Sequence, residues 1–232
     1  MGLHRLLFIL SKKYRDNKIV RKLVLPFWKR AYKVRRNKSI KAFRIHGEES
    51  IQMIYQNLNS KETPIWLEFG TLLGAYRNND FIKNDIDIDL GAFLKDERKI
   101  DVYLKNLDFK LVREFKLDSG TKGLERTYSY KGVFIDVFYF LKDNDLIYTY
   151  GFERKNCIDG KYVAVRYEFK DSGFKSSSFK NMKVYIPDDA KNHLMSQYGE
   201  DFMIPDPNYS DKNAPNRKEI TPEYDVTYEE FY

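Results

Sequence analysis

The segment from Trp66 to Phe93 constrains the fold more than any other part of the chain. Near its end, the run DIDIDL at residues 85–90 alternates aspartate with large aliphatic residues. Successive side chains of a strand point to opposite faces, so the aliphatic residues should enter the core while Asp85, Asp87 and Asp89 share the other face. Three carboxylates on one strand face repel one another, and such a row calls for a cation or a basic partner.

Asp87 and Asp89 are predicted to hold a hard divalent cation, Mg²⁺ or Mn²⁺. Alternate residues of a strand lie about 6–7 Å apart, which allows two carboxylates to bind one such ion or a pair of ions. The alternative is a solvated edge strand whose charges prevent aggregation. The residues in front of the strand favour the metal site.

A strand, a glycine and a short helix precede this carboxylate pair. Residues 65–69 predict a strand that ends at Gly70, and a helix begins at Thr71. Gly70 lets a phosphate approach the backbone, Thr71 offers a hydroxyl and a helix-start N–H, and Arg77 is a fixed cation suited to a phosphate oxygen. These three residues are therefore predicted to bind phosphate groups.

A third carboxylate, Asp136, stands alone in the apolar strand pattern FIDVF at residues 134–138. A buried carboxylate without a partner is costly, and a metal ion shared with Asp87 and Asp89 would provide one. The alternative is an aspartate that points outward from its strand. We therefore predict that Asp136 shares the metal ion with Asp87 and Asp89.

These motifs together resemble the LicD/fukutin family of phospho-group transferases. The resemblance covers about residues 45–206 and departs from the family pattern at Ile86 and at residues 83–84. It rests on GTLLGAYR at 70–77, FI at 81–82, the aspartates of 85–89, the strand 134–138, and a closing stretch from Ile186 to Pro205.

The resemblance implies an α/β (α+β) fold, a nucleotidyltransferase-like mixed sheet flanked by helices. It further implies Mg²⁺-dependent transfer of a phospho-linked group, phosphocholine or a polyol phosphate, from a CDP-linked donor to a sugar hydroxyl. The acceptor would be a surface glycan or its lipid-linked precursor. The resemblance implies that Asp87, Asp89 and Asp136 are the catalytic residues, with Asp136 helping to deprotonate the acceptor hydroxyl. It implies also that the donor phosphates are bound by Gly70, Thr71 and Arg77. Two alternatives stay open: a nucleotidyltransferase that moves NMP from NTP to a small molecule, and a non-catalytic nucleotide-binding protein on the same fold.

Charge divides the chain into a basic arm and an acidic body. Residues 1–45 contain 15 Lys and Arg and one acid, Asp16, whereas the remainder has more acids than bases. We therefore predict a basic amphipathic arm at 1–45, a catalytic domain at 46–206 and an extended tail at 207–232. The acidic body argues against a nucleic-acid partner.

The arm is predicted to lie on an anionic membrane surface. Its apolar residues recur at helical spacing, but no run reaches the roughly eighteen residues of a membrane span. The alternative is a basic helix packed on the acidic body. A single cysteine, Cys157, points to a reducing compartment and an incidental thiol, so the expected location is the cytoplasm, peripheral on the inner face of the membrane.

Periodicity also predicts the other elements of the body. The roles of Glu68, which either faces the cleft or pairs with a basic residue, and of His193 stay open. The predicted helices cover 47–61, 71–76, 94–106 and 188–198, and the strands lie near 85–90, 108–116, 124–130, 132–140, 146–152, 161–168 and 182–186.

Overall fold

A computed structural model describes residues 25–56, 58, 64–83, 85–154, 162–219 and 225–231. Within these ranges the α-helices are α1 (Leu25–Gln56), α2 (Phe69–Asn78), α3 (Glu97–Asn106) and α4 (Ala190–Tyr198). The strands are β1 (Ile65–Leu67), β2 (Asp87–Phe93), β3 (Lys110–Leu117), β4 (Gly123–Tyr130), β5 (Val133–Asp143), β6 (Leu146–Arg154), β7 (Tyr162–Lys170), β8 (Phe174–Phe179), β9 (Met182–Pro187), β10 (Arg217–Glu219) and β11 (Val226–Glu230).

Nine of these strands form one mixed sheet. Its main path runs β10-β7-β6-β5-β4-β3-β11, and β2 pairs with β5 in parallel and with β1 in antiparallel orientation. Strands β8 and β9 form a separate hairpin. The predicted fold class, a mixed sheet flanked by helices, is confirmed.

A two-residue turn sets the register between β4 and β5. Lys131 and Gly132 both have positive φ, 47° and 82°, as a type I′ hairpin turn requires. Tyr130 therefore pairs with Val133, and Thr127 lies opposite Asp136. The turn thus decides which residues of β4 stand beside the third carboxylate.

The core lies between the sheet and the second half of α1. Ile88 and Leu90 of β2 are fully buried, as their alternation with the aspartates predicts. Ile51 and Ile54 of α1 are buried in the same cluster. The strand, however, begins at Asp87, so Asp85 and Ile86 precede it, and pairing of β2 with both β1 and β5 leaves the aspartates half-buried rather than on an exposed edge.

Helix α1 begins far before the helix predicted at 47–61. It runs without a break across residue 45, where the arm was predicted to meet the body. A buried residue, Phe43, already anchors the basic part of this helix to the core. Residues 1–24, with the apolar spacing used to predict an amphipathic helix there, and Cys157 lie outside the described residues.

The chain beyond residue 207 supplies two strands to the sheet. Strand β10 pairs with β7 and β11 pairs with β3, both in antiparallel orientation. The pairing residues of β8, FKSSSF, were not predicted as a strand because serine-rich segments resemble loops.

No helix of the described residues is long and apolar enough to span a bilayer.

Candidate active site

The two aspartates of β2 and the aspartate of β5 come together on one face of the sheet. Strands β2 and β5 run in parallel, and Asp89 lies in register with Asp136. Asp87 is two residues before Asp89 and shares its face. The structure therefore brings together the three carboxylates that were predicted to act together.

Burial and mutual repulsion raise the pKa values of the β2 carboxylates. Burial raises the pKa of Asp87 to about 7, and the charges of Asp136 and Asp85 add to the shift while Arg113 opposes it. For Asp89, burial and then the charges of Asp87, Asp136 and Asp85 hold the pKa well above its usual range. The cluster holds more negative charge than its surroundings balance.

This donor set fits a hard divalent cation. Carboxylate oxygens are the ligands that Mg²⁺ and Mn²⁺ prefer, and such an ion would neutralise the repulsion. One buried oxygen, Oδ2 of Asp85, has no hydrogen-bond partner among the described residues. In the described ranges, no three His, Cys, Asp or Glu side chains are arranged to hold a metal ion by themselves. Magnesium is commonly held by one or two carboxylates, with substrate phosphates and water filling the other positions.

The start of α2 positions Asp89. The backbone N–H of Gly70 donates to Oδ2 of Asp89 over 3.0 Å, and the hydroxyl of Thr71 accepts from the backbone N–H of Asp89 over 2.9 Å. A Cβ at residue 70 would lie 3.1 Å from the same Oδ2, so glycine permits this approach. Both groups have internal partners, and their contact with donor phosphates stays a prediction.

Glu68 caps α2 and ties it to α4. Its carboxylate accepts from the backbone N–H of Phe69 over 3.2 Å and from the indole N–H of Trp66 over 2.7 Å. It also lies 2.7 Å from Nε2 of His193, whose ring stacks on Phe169. Glu68 is therefore a buried carboxylate that pairs with a histidine, and this contact with His193 holds α4 against the start of α2.

Arg77 binds the segment that follows α4. Its guanidinium donates from Nε to the carbonyl of Phe202 over 2.6 Å and from Nη2 to the carbonyls of Phe202 and Ile204. Arg77 lines the same cavity as Gly70 and Asp89. Its predicted contact with a donor phosphate therefore competes with these backbone partners.

Asp136 already has protein partners. It accepts from Nη2 of Arg113 over 3.3 Å and from the hydroxyl of Thr127. The Nε of Arg113 donates to the same hydroxyl over 3.0 Å. The predicted need of a buried aspartate for a partner is thus met in part by an arginine of β3 that the sequence did not single out.

Glu125 is a further acid of the site that sequence reasoning missed. It lies on β4 two residues before Thr127, opposite Phe138 of β5, and its side chain is buried. Burial, with repulsion from Asp136, raises its pKa to about 8, although Arg113 opposes the shift. The turn at residues 131–132 was a usable signal, because a two-residue hairpin fixes which residues of β4 face Asp136.

The carboxylate cluster separates two cavities. The larger, about 1100 Å³, is lined by Asp89 and Glu125 and closed by α4 and the segment after it. The smaller, about 510 Å³, is lined by Asp87 and Asp136 and bounded by α1 and the end of β11. A ligand in either cavity reaches a carboxylate of the same cluster.

Comparisons with known proteins identify the family of the chain. A family model described as LicD/FKTN/FKRP, nucleotidyltransferase domain, matches residues 62–189, more than half of the chain. This match identifies a transferase domain of the nucleotidyltransferase type. The chain belongs to the LicD/FKTN/FKRP family, which confirms the resemblance, the fold class and the enzyme class predicted from the sequence.

The chain is also similar to parts of longer proteins. It is 31% identical over 175 residues to the human "Ribitol-5-phosphate transferase FKTN", a match that covers 75% of this chain and 37% of that protein. An uncharacterized protein of Rickettsia prowazekii (strain Madrid E) is 27% identical over 172 residues, 71% of this chain and 60% of that one. The chain therefore spans little more than a third of the length of the human relative.

A solved structure shows a weaker likeness. The lincosamide antibiotic adenylyltransferase LnuA, bound to lincomycin, matches 63% of this chain and 84% of its own at 16% identity. The TM-score is 0.39, a value that does not by itself establish a common fold.

Proposed function

We propose that the protein transfers a phospho-linked group from a CDP-linked donor to a sugar hydroxyl, with Mg²⁺ or Mn²⁺ as cofactor. The acceptor is a surface glycan or its lipid-linked precursor. The observation that carries this proposal is the cluster of Asp87, Asp89 and Asp136 at the junction of two cavities. Two cavities that meet at one acidic centre suit a reaction that joins two large substrates.

The transferred group is a polyol phosphate rather than phosphocholine. The support is the activity by which the human relative is named, a ribitol-5-phosphate transferase, with which this chain is 31% identical over 175 residues. The match covers 75% of this chain and 37% of the relative.

In this mechanism Asp87 and Asp89 would hold the metal ion and Asp136 would complete the site. The ion would neutralise charge on the donor diphosphate. The acceptor oxygen attacks the phosphorus of the transferred group, a P–O bond forms, and the P–O bond to CMP breaks. The proton of the hydroxyl passes to a carboxylate. Asp136 is the proposed acceptor of this proton, and Glu125 is a second candidate because it lines the larger cavity.

The test is a measurement of released nucleotide. The protein is incubated with CDP-linked ribitol, CDP-choline or a UDP-sugar, with an oligosaccharide acceptor, and with Mg²⁺ or EDTA. Release of CMP from CDP-ribitol that requires both metal and acceptor supports the proposal. Release of pyrophosphate from CTP or ATP, without CMP release, would replace it with NMP transfer, and binding without any turnover would make the protein a non-catalytic nucleotide binder.

We also propose that the basic arm brings the protein to an anionic membrane, on the cytoplasmic side. Residues 25–45 of α1 contain no acid, and Lys29, Arg30 and Lys33 are exposed. Exposed apolar side chains, among them Phe27 at 70% and Val34 at 58%, accompany these charges. Liposome sedimentation tests this: K29E/R30E/K33E should no longer bind vesicles that contain phosphatidylglycerol, and binding equal to that of the unaltered protein would refute it.

A further inference from the structure

A third cavity, of about 690 Å³, lies away from the carboxylate cluster, where β5 changes its partner. Strand β5 pairs with β4 as far as Phe138 and with β6 from Leu141 onward. The cavity is lined by the ends of β2 and β5, the start of α3 and the loop between β3 and β4. Phe93 in its wall is four residues after Asp89, or about 13 Å along β2. It shares no lining residue with the two cavities at the carboxylates.

Cations dominate the lining of this third cavity. Five of its side chains are basic, and one, Glu97, is a carboxylate. The basic side chains that have carboxylate partners at 2.7 Å or less are Arg126, Lys116 and Lys142. The other two, Lys95 and Arg98, are exposed; in the described part of the chain Lys95 makes no ion pair, and Arg98 meets only Glu97, over 3.4 Å. Since Glu97 also binds Arg126 over 2.7 Å, positive charge is left over for an anionic ligand.

The two rim cations are placed to act together. The ammonium group of Lys95 lies over the ring of Phe93, 5.6 Å from its centre. Arg98 follows three residues later, a spacing that puts side chains side by side on a helical turn. Its planar guanidinium matches the oxygens of a phosphate group, and an ammonium group adds a second charged hydrogen bond. The rim therefore favours a phosphate.

The rest of the lining indicates a phosphate that carries a hydroxylated carbon chain. The volume lies within the usual range for small-molecule sites and exceeds that of a single phosphate ion. Leu94 and Leu141 are half-buried and offer an apolar surface to carbon atoms. The hydroxyls of Ser119 and Thr121, on the loop between β3 and β4, can exchange hydrogen bonds with hydroxyls of a ligand.

The aromatic residues of the cavity argue against a nucleobase. Phe93 and Phe140 are only 8% and 1% exposed, and Trp66 packs against both rings. Neither ring therefore offers an open face on which a base could stack. A sugar or a polyol needs no such face.

We propose that the third cavity is a second ligand site, which binds a sugar phosphate or a polyol phosphate with Lys95 and Arg98 on the phosphate. The inference goes beyond the proposed function, because the site is separate from the carboxylate cluster and binding there requires neither metal nor turnover. This chemistry has two sources: a free sugar or polyol phosphate, and a phosphate ester within a glycan chain.

The test is calorimetric titration in EDTA, which leaves the carboxylate cluster without a cation and repulsive to phosphate. The probes are glycerol 3-phosphate, an oligomer of glycerol phosphate and inorganic phosphate. The variant K95Q/R98Q should bind glycerol 3-phosphate about tenfold more weakly than the unaltered protein, because it loses two charged hydrogen bonds. The matched control K110Q/K191Q removes the same charge from exposed residues that line none of the three cavities, and it should bind normally.

A further variant, Arg77→Met, separates this site from the predicted phosphate contact at α2, and it should also bind glycerol 3-phosphate normally. Oligomer binding that is tighter per phosphate group than that of glycerol 3-phosphate would assign the site to a glycan. Equal or weaker binding would assign it to a free phosphate ester, and either result supports the site.

The inference is overturned if glycerol 3-phosphate does not bind, if K95Q/R98Q binds it as the unaltered protein does, or if K110Q/K191Q or Arg77→Met loses as much. Inorganic phosphate that binds as tightly as glycerol 3-phosphate would also overturn it, because the carbon chain would then contribute nothing. Thermal melting verifies that the variants are folded. If no CDP-linked donor is consumed but binding still depends on Lys95 and Arg98, the proposed function fails and the second site stands.

Discussion

The two cavities that share the aspartate cluster differ in charge. The residues that line the larger cavity include six carboxylates but only two basic residues, Arg77 and Lys83. The smaller has three arginines beside its three carboxylates. A neutral polyol or sugar can hydrogen-bond to carboxylates without electrostatic cost, whereas a diphosphate is repelled by them. Because its two sides carry different charge, one acidic centre can serve two unlike substrates.

The largest expected effect comes from the centre that both cavities share. Asp87→Asn or Asp89→Asn should lower kcat by about 10³-fold or more, because each removes a charged ligand of the metal ion. In the absence of metal, Asp87→Asn should not lower the melting temperature, because in the unaltered protein Asp136 and Asp85 repel the carboxylate of Asp87. Steady-state CMP release and thermal melting check both statements.

A conservative change elsewhere serves as the control for these variants. Asp145→Asn alters an exposed residue that lines neither cavity and should retain full activity. Full activity of Asp87→Asn or Asp89→Asn would refute the metal assignment.

The next largest effect concerns Glu125, a candidate acceptor of the proton. Glu125 lines the larger cavity and not the smaller one. If it takes the proton of the acceptor hydroxyl, Glu125→Gln should lower kcat by about 100-fold and leave the binding of Mg²⁺-pyrophosphate unchanged. Kinetics and calorimetry on one preparation provide the two readouts.

Asp136→Asn is the comparison for this variant. If Glu125→Gln keeps its full rate while Asp136→Asn is inactive, Asp136 and not Glu125 accepts the proton. Weaker binding of pyrophosphate to Glu125→Gln would contradict a role of Glu125 that is confined to the acceptor hydroxyl.

A smaller effect is expected where α2 approaches the cluster. Gly70→Ala places a Cβ 3.1 Å from Oδ2 of Asp89, so the carboxylate must shift by a few tenths of an ångström. We expect kcat to fall by about tenfold, since modest misplacement of a reacting group is costly. Gly47→Ala is the control, because its nearest atom would be 3.5 Å away, an ordinary contact. Equal rates for the two variants would show that Asp89 tolerates the displacement.

The smallest effect concerns the closing segment. Arg77→Met loses the hydrogen bonds to Phe202 and Ile204, so the melting temperature should fall by a few degrees. Because Arg77 is also predicted to contact a donor phosphate, Arg77→Met should bind Mg²⁺-pyrophosphate several-fold more weakly than the control Lys83→Met. Equal binding by the two variants would refute the contact with phosphate.

Much of the site could be predicted from short-range patterns. Alternation buried Ile88 and Leu90 and put Asp87 and Asp89 on one face, and an isolated acid in an apolar strand identified Asp136. Each inference used residues a few positions apart, where strand geometry leaves little freedom.

What escaped prediction depends on pairing between distant segments. Arg113 reaches Asp136 only because β3 joins β4, and β4 in turn pairs with β5. The cavity beside Arg35 needs α1 and the end of β11 against the same strands. Charge composition also suggested a separate arm, whereas Phe43 and the residues after it make α1 part of the core. No local pattern encodes such contacts.

The fluorescence of Trp66 can report on the position of helix α4. Its indole donates to the carboxylate of Glu68, which in turn is joined to His193 of α4. The chain contains one other tryptophan, Trp28. A Trp28→Phe variant would keep a single indole, that of Trp66. The carboxylate of Glu68 links this indole to α4, the helix that closes the larger cavity. Its emission would then record the docking of α4 in real time, without an attached dye.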